Sequence, residues 1–266
     1  MAKENMSKLI DDLTKLSQAA PPPMGFRTSQ PVEASPTILI IGRMAINSAT
    51  PPVKANSGAD AVLIYADKSE PTLEDIQKTV KSMGDIPWGV YLEESGDITP
   101  ALIEAGCDFV VFSPTSRIPD LPQDAKVGKI LQVESSMDDG LLRAINDLPA
   151  DAALITDALE DKGTITLHQL MIYRHLANLI AKPLIVPVAA NITEAELKAL
   201  QNAEIDGVMA EMDVDRGEDL KKLRKIASKL PPRSAKKRNK MGVLLPHTSS
   251  ESRTMAPPDE EEEEDE

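Results

Sequence analysis

Eight short apolar runs between residues 37 and 230 restrict this chain more than any other feature. They occupy 38–42, 61–66, 88–92, 109–112, 130–133, 153–156, 184–188 and 208–212. Each is rich in Val, Ile and Leu and is apolar nearly throughout, as in strands of a parallel sheet covered on both faces. Helix starts and stops fall between most of them. Thr72 opens a segment that ends at Gly84, and Ser136 or Asp138 opens one that runs to Leu148. Thr166 opens a longer one through Leu170, Tyr173, Leu176 and Ile180, and Thr193 opens another with Glu196 three residues on, the spacing of a reciprocal cap.

Strand followed by helix, repeated eight times, closes most economically into a ring, because closure removes both open edges. Two connections are poor in helix: 43–60 carries Pro51 and Pro52, and 114–128 carries Pro119 and Pro122. The fold class read from the pattern is therefore α/β: a single (β/α)8 barrel over 37–230. An N-terminal amphipathic helix with a Pro-rich linker precedes it (1–36), and a flexible tail, first basic and then acidic, follows (231–266). An open doubly wound sheet is the alternative, but its glycine fingerprint is absent: Gly42 is followed by Arg43, and no GxGxxG occurs.

A phrase recurs just ahead of buried runs: Gly58-Ala59-Asp60-Ala61-Val62, Gly106-Cys107-Asp108-Phe109-Val110 and Ile205-Asp206-Gly207-Val208. In these phrases, and over roughly residues 37 to 230, the chain resembles the (β/α)8 TIM-barrel superfamily, and within it the phosphate-binding barrels. That resemblance implies a ligand site at the C-terminal ends of the strands and a phosphate cup of glycine-rich turns after the seventh and eighth strands. The cup is missing. Val188-Ala189-Ala190-Asn191-Ile192-Thr193 has a helix start but no glycine, and the turn after the eighth run carries Glu211, Asp213 and Asp215, which repel phosphate. One barrel hosts many reactions, so the likeness specifies fold more than chemistry.

The residues that end the apolar runs are rich in carboxylates. Asp67, Glu93, Glu134 and Asp157 stand at corresponding positions of four strands and form an expected cluster of hard oxygen ligands for Mg²⁺ or Mn²⁺. Glu211 is the candidate general base and Lys68 a second catalytic candidate, while Arg43, Asn191 and Thr193 are expected to hold an anionic small-molecule substrate. The same acids also suit solvated loop starts and helix caps. A barrel that serves as a scaffold or interaction module through its terminal segments is thus the alternative to a metal-dependent enzyme. No nucleophile elbow and no HExxH occurs, and the single cysteine, Cys107, excludes an internal disulfide and a Cys-rich metal site.

The termini add their own constraints. Met6, Leu9, Ile10, Leu13 and Leu16 form one helical stripe that needs a surface to cover, either one end of the body, a protein partner or a second copy of the chain. Net charge is −14, yet the last eight residues are all acidic, while 221–240 holds ten basic residues and no acidic one. With so few aromatics (three Phe, three Tyr and one Trp), a stacking platform for nucleic acid is not expected. Residues 247–258 are rich in Ser, Thr and Pro and read as disordered. No apolar stretch reaches the roughly 18 residues of a membrane span and none resembles an export signal, so the expected location is the cytoplasm.

Overall fold

The computed structural model describes residues 7–18, 36–46, 58–66, 73–92, 99–124, 126–156, 163–189, 191–212 and 217–232. Eight strands run parallel in one closed ring: β1 (Leu39–Ile46), β2 (Ala61–Ala66), β3 (Trp88–Leu92), β4 (Phe109–Phe112), β5 (Gly128–Val133), β6 (Ala152–Ile155), β7 (Leu184–Val188) and β8 (Gly207–Glu211). Each pairs with its neighbour in sequence, and β1 pairs with both β2 and β8. Helices alternate with them: α2 (Leu73–Met83), α3 (Thr99–Glu104), α4 (Asp139–Ala144), α5 (Leu167–Leu179), α6 (Glu194–Asn202) and α7 (Gly217–Ala227). A further helix, α1 (Lys8–Ser17), precedes the barrel.

The eight-stranded reading is met, and the largest difference in bounds is at β1. β1 continues four residues past Gly42, because Met44, Ala45 and Ile46 go on pairing with Ile64, Tyr65 and Ala66. Arg43 is consequently a strand residue rather than a loop residue. Between β4 and β5 the expected scarcity of helix holds, with one 3₁₀ turn at Ile118–Asp120 among the described residues.

Alternation along the strands divides the interior into two cores. One face of each strand packs under the helices, as with Ile40, Val62, Val110, Val186 and Val208. The other faces the lumen, which is filled by Leu39, Ile41, Leu63, Phe109, Val111, Ile130, Leu154, Ile185 and Met209. Helix α1 belongs to this second core: Leu9, Ile10 and Leu13 are at most 2% exposed and pack among the lumen side chains. It lies at the N-terminal ends of the strands, since its side chains press on Gly128 and Gly207, the first residues of β5 and β8. A Cβ at Gly128 would stand 2.8 Å from Ser7 Oγ, so glycine there is a condition of close approach. The stripe noted in the sequence thus covers the floor of the chain's own barrel.

The aspartates of the recurring phrase close hydrogen bonds that the strand starts leave open. Asp206, fully buried, accepts the Leu184 N–H on Oδ2 at 3.0 Å and donates its own N–H to Leu184 O at 2.9 Å. Removing that acceptor leaves a buried donor unpaired, which costs about 1–3 kcal/mol. Asp206→Ala is therefore expected to lower unfolding free energy in urea by about that amount, whereas Asp138→Ala, which loses only an exposed cap on α4, should cost about 1 kcal/mol.

Candidate functional site

With the floor covered by α1, the C-terminal ends of the strands are the end that this helix does not cover. Arg43 follows Leu39 and Ile41 in the lumen-facing alternation of β1, and Glu211 follows Gly207 and Met209 in that of β8. The two are cross-strand partners. Arg43 Nη1 donates to Glu211 Oε1 at 2.7 Å, and the guanidinium carbon stands 4.0 Å from the centroid of the Tyr65 ring on β2. The pair is about half exposed, with side chains at 40% and 54%. An ion pair that wet contributes little to stability, but with the Tyr65 ring beneath it fixes where the guanidinium stands.

Two further polar side chains continue the alternation on the far side of the lumen. Tyr91 on β3 donates its hydroxyl to Gln132 Oε1 on β5 at 2.8 Å, bridging across β4. Both are half-buried, above the apolar layer of Val111, Ile130 and Leu154. Sequence reasoning missed Tyr65, Tyr91 and Gln132. The available signal was period two: each stands two residues beyond a lumen-facing position, Leu63, Gly89 and Ile130 respectively.

The other candidates divide into two groups. Asp67, Lys68, Glu93 and Asp157 lie outside the described residues. Glu134 is described: it is exposed after β5, and Oε2 accepts from Ser136 Oγ at 3.4 Å. Among the described residues no group of three or more His, Cys, Asp and Glu side chains is placed to hold a metal ion. Asn191 is exposed in the turn between β7 and α6. Thr193 caps α6 in the reciprocal arrangement: its Oγ1 accepts the Glu196 N–H, while its own N–H and hydroxyl donate to Glu196 Oε2 at 2.8 and 2.6 Å. Ile165 N–H donates to the other carboxylate oxygen at 2.9 Å. The positive end of α6 is therefore occupied by the chain's own carboxylate.

Two titrating groups narrow the chemistry. Burial pushes the Cys107 thiol up to about 12, so it is not a nucleophile at neutral pH. For Glu196, burial pulls the carboxyl upward, but the hydrogen bonds from Thr193 and Ile165 outweigh it and hold the group below its ordinary 4.5.

No protein-family model matches the chain, and no curated protein matches it in sequence. Solved structures match in fold. A mutant tryptophan synthase α-subunit from the hyperthermophile Pyrococcus furiosus is 12% identical with a TM-score of 0.52, over 72% of this chain and 97% of that one. A chain of the tryptophan synthase complex from the same organism is 14% identical with a TM-score of 0.50, over 71% and 97%. A cube-shaped porous protein cage designed by fusing symmetric oligomeric domains is 16% identical with a TM-score of 0.53, over 72% and 74%. Identities this low establish the fold alone. The protein is a (β/α)8 barrel of the TIM type.

A depressed carboxyl stabilises the fold above its unfolded value, and that contribution fades as pH falls through the folded value. Wild type should therefore exceed Glu196→Ala in denaturant midpoint at about pH 7, and the difference should shrink toward pH 3; a difference independent of pH would contradict the role given to this carboxylate.

Proposed function

We infer that the C-terminal mouth binds a small anionic metabolite on the Arg43 guanidinium and acts on it with the help of a divalent cation. The observation that carries this reading is the Arg43, Tyr65 and Glu211 group, a permanently charged planar donor at the end of the barrel that α1 does not cover. A guanidinium offers five N–H donors in a fixed fork, and among the described residues only Nη1 is engaged in a hydrogen bond. The remaining donors suit a carboxylate or phosphate oxygen. Tyr91 and Gln132 supply hydroxyl and amide groups that can fix the ligand's orientation.

In this reading Glu211 is the carboxylate nearest the bound anion and serves as the general base, with Lys68 as a second proton carrier. Asp67, Glu93, Glu134 and Asp157 hold Mg²⁺ or Mn²⁺, and Asn191 and Thr193 border the substrate. The cation's contribution when bound is to neutralise charge on the anion.

One observation favours a second reading, a barrel kept as a scaffold. Arg43 already has Glu211, and the α6 terminus already has Glu196, so these charged groups are satisfied without a ligand.

Thermal melting separates the two readings. Under the enzyme reading, Mg²⁺ or Mn²⁺ raises the melting temperature in a saturable way below about 10 mM. Glu134→Gln should blunt that rise, whereas Glu263→Gln in the acidic tail should not. Oxalate or inorganic phosphate should add a further rise that Arg43→Ala abolishes. No response to either cation or either anion, or equal responses in wild type and variants, would favour the scaffold.

A further inference from the structure

Three of the four aspartates that stand just before even-numbered strands do the same work. Asp60 donates its N–H to Ile40 O at 2.7 Å and accepts the Ile40 N–H on Oδ2 at 2.8 Å. Asp151 does so with Lys129, at 2.7 and 2.8 Å, and Asp206 with Leu184, at 2.9 and 3.0 Å. In each case one residue of the preceding odd strand exchanges both of its backbone groups with the aspartate.

Asp108 keeps the first half of this arrangement and gives up the second. Its N–H donates to Trp88 O at 2.8 Å, as its counterparts do. Its carboxylate turns instead to the first turn of α1: Oδ2 accepts the Ser7 hydroxyl at 2.7 Å and the Leu9 N–H at 3.0 Å, and Oδ1 accepts the Lys8 N–H at 2.8 Å. An acceptor that by threefold precedent belongs to the Trp88 N–H is spent on the helix that covers the barrel floor.

We propose that Asp108 is a two-position latch and that α1 is a reversible plug. With α1 seated, the Asp108 carboxylate caps it. With α1 withdrawn, the carboxylate takes the Trp88 N–H, as Asp60, Asp151 and Asp206 take theirs. The swap matters because an acceptor left without a donor in a partly buried place costs far more than one that changes donors. The strand ladder does not include α1: the ring is made by the eight strands alone. Withdrawal exposes Leu9, Ile10, Leu13 and Leu16 together with the apolar floor they cover, which includes Phe109 and Ile130. The plug is thus held mainly by hydrophobic burial and released as a unit, below the free energy of global unfolding.

Amide exchange on the full chain tests this, using wild type, Asp108→Ala, Gly128→Ala and the double variant, with Asp151→Ala as the control. Gly128→Ala dislodges α1 while keeping the Asp108 carboxylate, because its Cβ would meet Ile10 Cγ1 at 2.5 Å and Ser7 Oγ, one of that carboxylate's donors in the seated state, at 2.8 Å. Amides of α1 should exchange about tenfold or more faster than those of the strands in wild type, and Asp108→Ala should accelerate them further while leaving β5 to β8 unchanged. Asp151→Ala should leave α1 unaffected relative to the strands. The decisive readout is the Trp88 amide. In Gly128→Ala, with α1 withdrawn, it should be protected by the Asp108 carboxylate, and in the double variant that protection should be lower by about tenfold or more. A single common exchange rate for α1 and the strands in every variant would overturn the reversible plug. Protection of Trp88 that ignores Asp108 in the Gly128→Ala background would overturn the second latch position.

Discussion

Closure of the parallel ladder is the constraint from which the rest of the molecule follows. Once β1 pairs with β8 as well as β2, no strand has a free edge, and every strand must place one face under helices and the other in the lumen. The period of two then decides what each residue can do. Ile40 and Val62 are committed to the helix layer, and Leu39, Ile41 and Leu63 to the lumen. Only where the lumen-facing alternation runs past the packed layers can a polar side chain appear without being buried unpaired, and there Arg43, Tyr65, Tyr91, Gln132 and Glu211 stand.

The two ends of the ring solve different problems. At the C-terminal end, polar groups satisfy one another across strands. At the N-terminal end, a closed ring still exposes a disc of apolar side chains and a circle of strand-start N–H groups. The disc is covered by α1, and three of the N–H groups are met by aspartates placed one residue ahead of the next strand. A short acid suits this job because its carboxylate reaches the neighbouring strand while its own backbone is already in the ladder.

Much of this architecture is legible in the sequence, for reasons that also explain what is not. Uninterrupted apolar runs between helix caps are a local pattern, so eight strands can be counted, and the Thr193 and Glu196 cap can be read directly. The aspartate phrase is visible at Asp60, Asp108 and Asp206, but Asp151 escapes notice because no glycine stands within two residues of it on either side. Arg43 and Glu211 are each recognisable as charges at the end of an apolar run. Their pairing is not, since it depends on two strands 168 residues apart becoming neighbours when the ring closes. Tyr65, Tyr91 and Gln132 were hidden by treating each strand as uniformly apolar, when the strand's two faces answer to different surroundings.

The position of that pairing has a consequence for how the chain matures. Arg43 belongs to the first strand made and Glu211 to the last, and they clasp the seam where the ring is finished. During synthesis β1 must wait for β8 to emerge, so Arg43 and Glu211 meet only after the last strand has been made. A molecule bound across Arg43 and Glu211 would act as a fastener on that seam, slowing its reopening, and only a completed barrel could carry it.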